Sequence, residues 1–301
     1  MRILISGGSG FLGAPLTRRL RASGYDVTTL VRPGRPVGAF DLRWDPAAPD
    51  LDTAAMESID AIVHFSGAGI ADRRWSRARK SELRSSRIDT TRFLVDALIR
   101  LNRKPRVFVC ASAVGYYGDR GDEILTEKSP CGTEFLALLT RDWEAEATRA
   151  AQAGIRTVPL RFGVVLAPDG GALPKMLAPI RRGIGGRLGS GRQWMSWVAL
   201  DDAVEAAHNA IFDERYSGAI NVVAPYPVRN AQFVRFAATL LGRHAIFPAP
   251  AFALRIALGE MAHPLLLTSQ RVTPQRLTEL SFTFRYEKIE TALQEFLHAK
   301  G

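Results

Sequence analysis

Four glycines stand within seven positions near the start of the chain: Gly7, Gly8, Gly10 and Gly13, in ISGGSGFLG. An apolar run, Arg2-Ile3-Leu4-Ile5, precedes them and an amphipathic stretch follows. A tight strand-to-helix turn needs a backbone with positive φ and no Cβ in the way, and glycine meets both needs. The helix start then offers free N–H groups and the positive end of the helix dipole to an anion. The spacing Gly7-x-x-Gly10-x-x-Gly13 differs from the G-x-G-x-x-G of the commonest dinucleotide loop, yet strand before and helix after supply the required context. The pattern predicts a pyrophosphate cradle.

The second apolar run ends in TTLVRPGR. An acid at that strand end would bind the 2′-hydroxyl of NAD, whereas an arginine accommodates the 2′-phosphate of NADP. Val31 stands where the acid would be, Arg32 follows, and Arg35 lies three residues on. These residues read as an NADP(H) site.

Several elements must position that chemistry. Strands are predicted at RILIS (2–6), YDVTTLVR (25–32), DAIVHFSG (60–67), RVFVCAS (106–112) and IRTVPLRFG (155–163). Helices are predicted at 11–24, 76–101 and 134–153. Strand and helix alternating at this spacing mean an α/β fold, a Rossmann-type doubly wound parallel sheet. Ligands of such sheets bind at the carboxyl ends of the strands. Those ends are Ser6, Arg32, Ser66-Gly67, Ser112 and Arg161-Phe162-Gly163. Beyond residue 165 the alternation weakens, with helices at 201–213, 230–242 and 252–262, a strand at 219–223 and a closing amphipathic helix. The division expected is a Rossmann domain over 1–165 and a smaller α/β substrate-side region over 166–301, its elements interleaved with the Rossmann sheet.

Composition narrows the class. The chain has 301 residues, 47% of them hydrophobic and 23% charged, which is ordinary for a globular protein. No uncharged apolar run is long enough for a membrane span, and a strand beginning at residue 2 leaves no room for a signal peptide. A cytoplasmic protein is expected, with no membrane partner. Its two cysteines, Cys110 and Cys131, match no metal or disulfide spacing. The net charge of +10 favours anionic ligands. Part of it forms DRRWSRARKSELRSSR (72–87), read as a solvated helix face. No nucleic-acid motif accompanies it, so a small-molecule substrate and no nucleic acid are expected. Monomer and homodimer both stay open.

Taken together, GGSGFLG, HFSGAGI, ASAVGYYG and RFGVVL resemble the strand exits of extended short-chain dehydrogenases/reductases. SAVGYYGDRGDEILTEKSPCG, DWEAEA, MSWVALDDAVEA and PQRLTELSFTFRY resemble more narrowly the SDR39U-type, NAD-dependent epimerase/dehydratase-like branch, nearly end to end. The resemblance implies that Gly7, Gly10 and Gly13 hold the pyrophosphate, with backbone N–H groups from Ser9, Gly10, Phe11 and Leu12. It implies Arg32 at the 2′-phosphate and Ser66, Gly67 and Ala68 beside the adenosine-side ribose. Ala111 and Ser112 would lie near the nicotinamide, flanked by Arg161, Phe162 and Gly163.

Catalytic members of that family carry Ser/Thr, Tyr and Lys, the last two as Tyr-x-x-x-Lys, whose lysine lowers the tyrosine pKa. Four residues after Tyr25, Tyr116, Tyr117, Tyr216, Tyr226 and Tyr286 come Thr29, Arg120, Gly121, Ile220, Asn230 and Glu290, so no pair exists. Aligning SPCG puts Cys131 and Phe135 at the two positions; aligning DWEAEA puts Leu136 and Thr140 there. Ser112 and Tyr117 remain as catalytic candidates, Tyr117 equally readable as a packing residue. Glu134 and Glu144 could reach the site, though helix carboxylates usually face water. His64 reads as a core histidine. Arg192, Trp194 and Arg271 are substrate-side candidates, and Asp201 or Asp202 should cap the helix after Trp197. Two functions follow: an NADP(H)-dependent, epimerase/dehydratase-like oxidoreductase for a small polar, sugar-like substrate, with an atypical proton donor; or an NADP(H)-sensing regulator without turnover, linked through some relatives to cell division.

Overall fold

A computed structural model describes residues 1–48 and 50–298. Eight strands form the central sheet: β1 (Arg2–Ser6), β2 (Asp26–Val31), β3 (Asp41–Asp45), β4 (Asp50–Leu51), β5 (Ala61–His64), β6 (Val107–Ala113), β7 (Arg156–Phe162) and β8 (Ile220–Val222). Their order is β8-β7-β6-β5-β1-β2-β3-β4. All neighbours are parallel except the short β4, which runs antiparallel to β3. Strand order reverses between β1 and β5, so the crevice at the carboxyl edge opens beside Ser6 and His64.

The strands are apolar because both faces are covered. Ile3, Leu4 and Ile5 are all fully buried. On one face α1 (Gly13–Ala22) and α4 (Leu200–Phe212) pack Leu16, Leu20, Ala203 and Ala207 against Ile3, Ile5 and Val109. On the other, α2 (Thr90–Arg100) and α3 (Phe135–Gln152) pack Leu94, Leu98, Ala147 and Ala150 against Leu4, Ile62 and Phe108. The fold is therefore a doubly wound Rossmann-type sheet. No helix among the described residues is long and apolar enough to cross a membrane.

Two local features depart from the sequence expectation. The helix expected over 76–101 is broken into Arg77–Arg84, a π-helical turn at Ser85–Asp89, and α2. Thr90 Oγ1 donates back to the Ser86 carbonyl at 2.8 Å, one of the side-chain bonds that compete with the regular ladder there. Strand β3 was not foreseen. Only Leu42 and Trp44 of DLRWD turn inward, too few to stand out as an apolar run.

In the second half a small sheet places Val164–Ala167 between Gly170–Gly171 and Trp197–Ala199. Helices Leu173–Arg181, Asn230–Leu240 and Ile289–His298 enclose Trp197, Phe233, Tyr286 and Phe296. This half also supplies β8, and a two-residue strand, Arg271–Val272, pairs with Ile124–Leu125. Asp201 and Asp202 do not cap α4. Asp202 instead accepts the Arg285 and Tyr286 N–H groups at 2.8 and 3.1 Å, tying the late chain to α4.

The turn into α1 allows no side chain at Gly13, where a Cβ would overlap the Gly7 carbonyl oxygen. Gly13→Ala should destabilise the protein by about 2 kcal/mol, the scale of overpacking against a structure that cannot yield. Urea unfolding measures it.

Candidate functional site

The glycine turn is built from main chain alone. Gly7 has φ +74°, and a Cβ there would lie 2.7 Å from the Phe65 carbonyl carbon. Its own carbonyl accepts the Gly10 N–H at 2.9 Å, and Gly10 accepts from Ala14 at 2.9 Å. Ser9 and Gly10 are exposed, and Leu12 is the residue preceding α1. No acidic side chain lies in the first turn of α1 and no side chain caps it. The ring of Phe11 packs on Gly170 and Gly171, where a Cβ would come within 2.9 and 2.6 Å of it, so the second half braces this loop. Arg32 is exposed at the end of β2, and its guanidinium pairs with no carboxylate among the described residues. An anion cradle and a free cation thus stand at one sheet edge.

Next along that edge is the exit of β5. Ser66 is half-buried and Gly67 exposed. Ala68 donates its N–H to Ser86 Oγ at 3.2 Å. Beneath them His64 is wholly buried, bonded to Ser6 Oγ at 2.5 Å and Thr91 Oγ1 at 3.0 Å. Trp143 Nε1 also donates to Thr91, at 2.9 Å. Burial pulls His64 down to about 4, so the ring is neutral at physiological pH. It is a structural link between three elements.

At the exits of β6 and β7 a buried polar network replaces an open catalytic dyad. Ala111 is half-buried and Ser112 is buried. Ser112 Oγ donates to Glu144 on α3. Arg161 grips the same carboxylate with both arms, Nε to Oε1 at 2.8 Å and Nη2 to Oε2 at 2.7 Å. Its Nη1 donates to Tyr117 Oη at 2.9 Å, and Tyr117 donates to Asn221 Oδ1 at 2.6 Å. Burial works against the Arg161 charge, but the Glu144 clamp outweighs it and holds the guanidinium above its ordinary value. Burial pushes Tyr117 up to about 12. Phe162 is buried, edge-on to Phe65 at 5.9 Å, and a Cβ on Gly163 would meet the Ser196 carbonyl at 2.6 Å.

This geometry departs from two expectations. Tyr117 is 0% exposed with its hydroxyl engaged on both sides, which suits packing rather than proton transfer to a ligand. Arg161 is turned inward onto Glu144 rather than open to the crevice. Of the two possible registers, Leu136 and Thr140 are the pair facing the β6 exit, 3.7 and 3.9 Å from a Cβ built on Gly115. Thr140 spends its hydroxyl on the Leu136 carbonyl at 2.8 Å. Cys131 bonds to the Gly132 and Ala137 carbonyls, and burial raises its thiol. Glu134 accepts the Asp119 and Thr133 N–H groups, each at 3.1 Å, which fixes a turn.

In the second half two guanidinia lie over the Trp194 ring, Arg229 at 4.4 Å and Arg271 at 4.8 Å. Its Nε1 donates to Asp122 at 2.7 Å, and Arg229 also pairs with Asp122 at 2.9 Å. Arg192 is exposed on the rim of a cavity of about 670 Å³, with Arg229, Gln193 and Ser269. Arg192 has no carboxylate partner among the described residues, so this rim has spare positive charge, and neither has Arg271 on the Trp194 ring nearby. A separate cavity of about 730 Å³ lies by α1 and α4, lined by Arg19, Asp202 and Glu205, and holds none of the candidate residues.

The model of the NAD dependent epimerase/dehydratase family matches residues 3–222. A domain of unknown function, DUF1731, matches 249–296. The chain belongs to the NAD dependent epimerase/dehydratase family. An epimerase family protein of Mycobacterium bovis is 41% identical over 97% of this chain and 96% of its own. The human epimerase family protein SDR39U1 is 34% identical over 99% of this chain and 100% of its own. The crystal structure of human SDR39U1 with NADPH, isoform 2, superposes with TM-score 0.88 over 99% of each chain, at 32% identity. A nucleoside-diphosphate sugar epimerase of Corynebacterium glutamicum gives TM-score 0.82 at 36% identity, over 99% of this chain and 58% of that one.

In this epimerase/dehydratase family member Asn221 and Glu127, neither of them a candidate from the sequence, also join the network. Both bind the network to the second half: Asn221 Nδ2 donates to Thr273 O at 3.1 Å, and Glu127 Oε1 accepts the N–H groups of Asn221 and Arg276. A signal was present, since Asn221 sits inside the apolar run AINVVA. A polar residue there must have a partner.

Two outcomes follow. Glu144→Leu strands a buried guanidinium and should cost about 3–5 kcal/mol in chemical unfolding. For His64 the folded value near 4 lies below the ordinary 6.5, so the native state binds fewer protons between them. Stability from this group is complete above pH 6.5 and lost as pH falls towards 4, by about 3 kcal/mol at most. His64→Gln should lower proton uptake on unfolding near pH 5 by about one, read from the slope of unfolding free energy against pH.

Proposed function

We propose that this family member is a cytoplasmic NADP(H)-dependent oxidoreductase of the epimerase/dehydratase kind, acting on a small polar, sugar-like substrate. The observation that carries the reading is the bare glycine cradle beside an Arg32 with no carboxylate partner among the described residues. Gly7 and Gly13 let backbone pack on backbone with no side chain between, and the uncapped start of α1 beside that bare turn leaves N–H groups for a pyrophosphate. Arg32 suits a 2′-phosphate, which a strand-end acid would repel. The NADPH in the human relative supports the same cofactor. Ser66, Gly67 and Ala68 would pass its adenosine-side ribose, and Ala111 with Ser112 its nicotinamide. The cofactor, when bound, supplies or takes a hydride.

Ser112 is the hydroxyl at the strand end where that exchange would occur. Its proton is given to Glu144, so its lone pairs are open to accept from a substrate hydroxyl. Glu144, fixed by Arg161, orients it. Arg192 and Arg271 supply charge for an anionic substituent, and the Trp194 ring is held in place by Arg229 and Arg271. The second reading is a sensor of NADP(H) without turnover, linked to cell division. Leu136 and Thr140 at the usual acid and lysine places favour it, as does the sealed Tyr117.

Single-turnover oxidation of bound NADPH across carbonyl and nucleotide-sugar panels separates the two. The enzyme reading expects consumption with at least one panel member, abolished by Ser112→Ala; silence throughout leaves the sensor. Arg32→Ala should weaken NADPH by about 10-fold or more and NADH by much less, as loss of a charge-assisted bond implies. Equal weakening in fluorescence titrations contradicts the 2′-phosphate assignment.

A further inference from the structure

None of the residues of the helix Ala251–Leu258 is buried, although its sequence, AFALRIAL, is apolar but for one arginine. The helix is held by its ends instead. Pro250 stands at its N-cap, and Gly259, with φ +65°, closes it. Arg74 Nη2 donates to the Ile256 carbonyl at 2.8 Å and to that of Ala257, both in the last turn. Phe252, Arg255 and Ile256, at i, i+3 and i+4, share the face that stays exposed. Phe252 is 66% exposed and Ile256 74%. Two adjoining segments extend that face, since residues 184–189 run alongside 246–251. Ala249 donates to the Arg187 carbonyl at 2.9 Å, Gly189 donates to that of Ala249 at 2.8 Å, and a Cβ on Gly189 would lie 3.8 Å from that of Ala251. On these segments Ile184, Ile246 and Phe247 are each more than half exposed. Apolar residues exposed singly are ordinary, whereas large ones gathered on adjoining segments mark a surface that meets a partner.

Charge narrows what that partner is. Neither 170–200 nor 215–259 contains an aspartate or a glutamate. Glu260, which ends the second run, is taken by Lys80. Five exposed arginines stand on the same segments: Arg181 and Arg182 just before Ile184, Arg187 beside Ala249, Arg243 ahead of Ile246, and Arg255 on the helix itself. None of them pairs with a carboxylate among the described residues. An apolar centre with an unpaired cationic rim complements a partner that is apolar within and anionic at its surface. A second copy of this chain is a poor match, because a two-fold contact sets the same arginines against each other. An anionic bilayer fits better. Its headgroup boundary takes projecting rings and branched chains without a shaped groove, and its surface potential draws the arginines.

We propose that the helix Ala251–Leu258 and its rim form a peripheral docking surface for an anionic lipid bilayer. Phe247, Phe252 and Ile256 enter the boundary between headgroups and acyl chains, and the five arginines meet lipid phosphates. The sequence was expected to have no membrane partner because it holds no spanning run, and the described residues hold no spanning helix. A helix lying in the plane of the surface needs neither; it needs an uncovered apolar face, which only the packing reveals. The surface uses none of the candidate cofactor or substrate residues, so it stands independently of the NADP(H) reading.

Co-sedimentation of the full chain with vesicles tests this, using mixed phosphatidylglycerol and phosphatidylcholine against phosphatidylcholine alone. Wild type should bind the anionic vesicles and not the neutral ones, and binding should weaken several-fold between about 0.1 M and about 0.5 M salt. Phe252→Glu with Ile256→Glu should weaken it about 10- to 100-fold through lost apolar burial. Arg243→Glu with Arg255→Glu should weaken it at least about 10-fold. All four side chains are exposed, so the urea midpoint of each variant should stay near that of wild type. Should the first pair fail to fold, the arginine pair decides alone. Wild type that leaves anionic vesicles unbound overturns the proposal, as does equal binding to both vesicle types. Binding unchanged in the variants overturns it too, since another surface would then be responsible. Sedimentation equilibrium supplies the last outcome: self-association abolished by Phe252→Glu with Ile256→Glu, in a chain that ignores lipid, would give this face to a second copy and overturn the lipid assignment.

Discussion

Main chain meets main chain where β1 and β5 leave the sheet, and the rest of the site depends on that approach. At Gly7 the backbone comes so near Phe65 that no side chain fits, and at Gly13 the start of α1 closes on Gly7 in turn. These contacts set the start of α1 over the crevice and leave peptide groups as its lining. They also hold the 65–68 segment against the cradle, and through Ala68 they fix the π-helical turn that carries Ser86 and Arg87. A single methyl group in this region would disturb both the turn and the neighbouring strand exit.

A second constraint acts at the far end of the crevice. Placing an arginine at the end of a buried strand requires a carboxylate with good geometry, because an unpaired buried charge is costly. Glu144 meets that need and collects Ser112 as well; Arg161 then takes up the Tyr117 hydroxyl, which passes on to Asn221 of β8. Groups that would be free acids in an open site are therefore committed to holding β6, β7, β8 and α3 together. Ser112, its proton given to Glu144, keeps its lone pairs beside Ala111 at the sheet edge. This is why the site is rich in polar residues and poor in proton donors.

Much of the architecture was legible in the sequence, and physical reasons separate what was from what was not. Fully covered parallel strands are apolar throughout, so RILIS, DAIVHFSG and RVFVCAS stood out, and their exits could be assigned to one edge. Strand β3 carries only two inward residues and left no such trace. The broken helix could not be read because a π-helical turn changes no composition; the Thr90 and Ser86 hydroxyls donate to carbonyls of the preceding turn there. In the site, sequence placed Ser112, Tyr117 and Arg161 at strand exits, but not the direction each faces. Side-chain periodicity separates inside from outside and says nothing of partners. Likewise the 72–87 segment read as one solvated face, whereas Arg79 is buried and Arg87 half-buried.

The chain's fold and family are those of NAD dependent epimerases/dehydratases, and the account turns on what fills the cradle. Equilibrium titration of the purified wild-type chain with NADPH and, separately, NADH measures this most directly. The account predicts saturable uptake of one NADPH per chain, with NADH bound at least about tenfold more weakly. No uptake of NADPH at millimolar concentration, or equal affinity for the two, would contradict it.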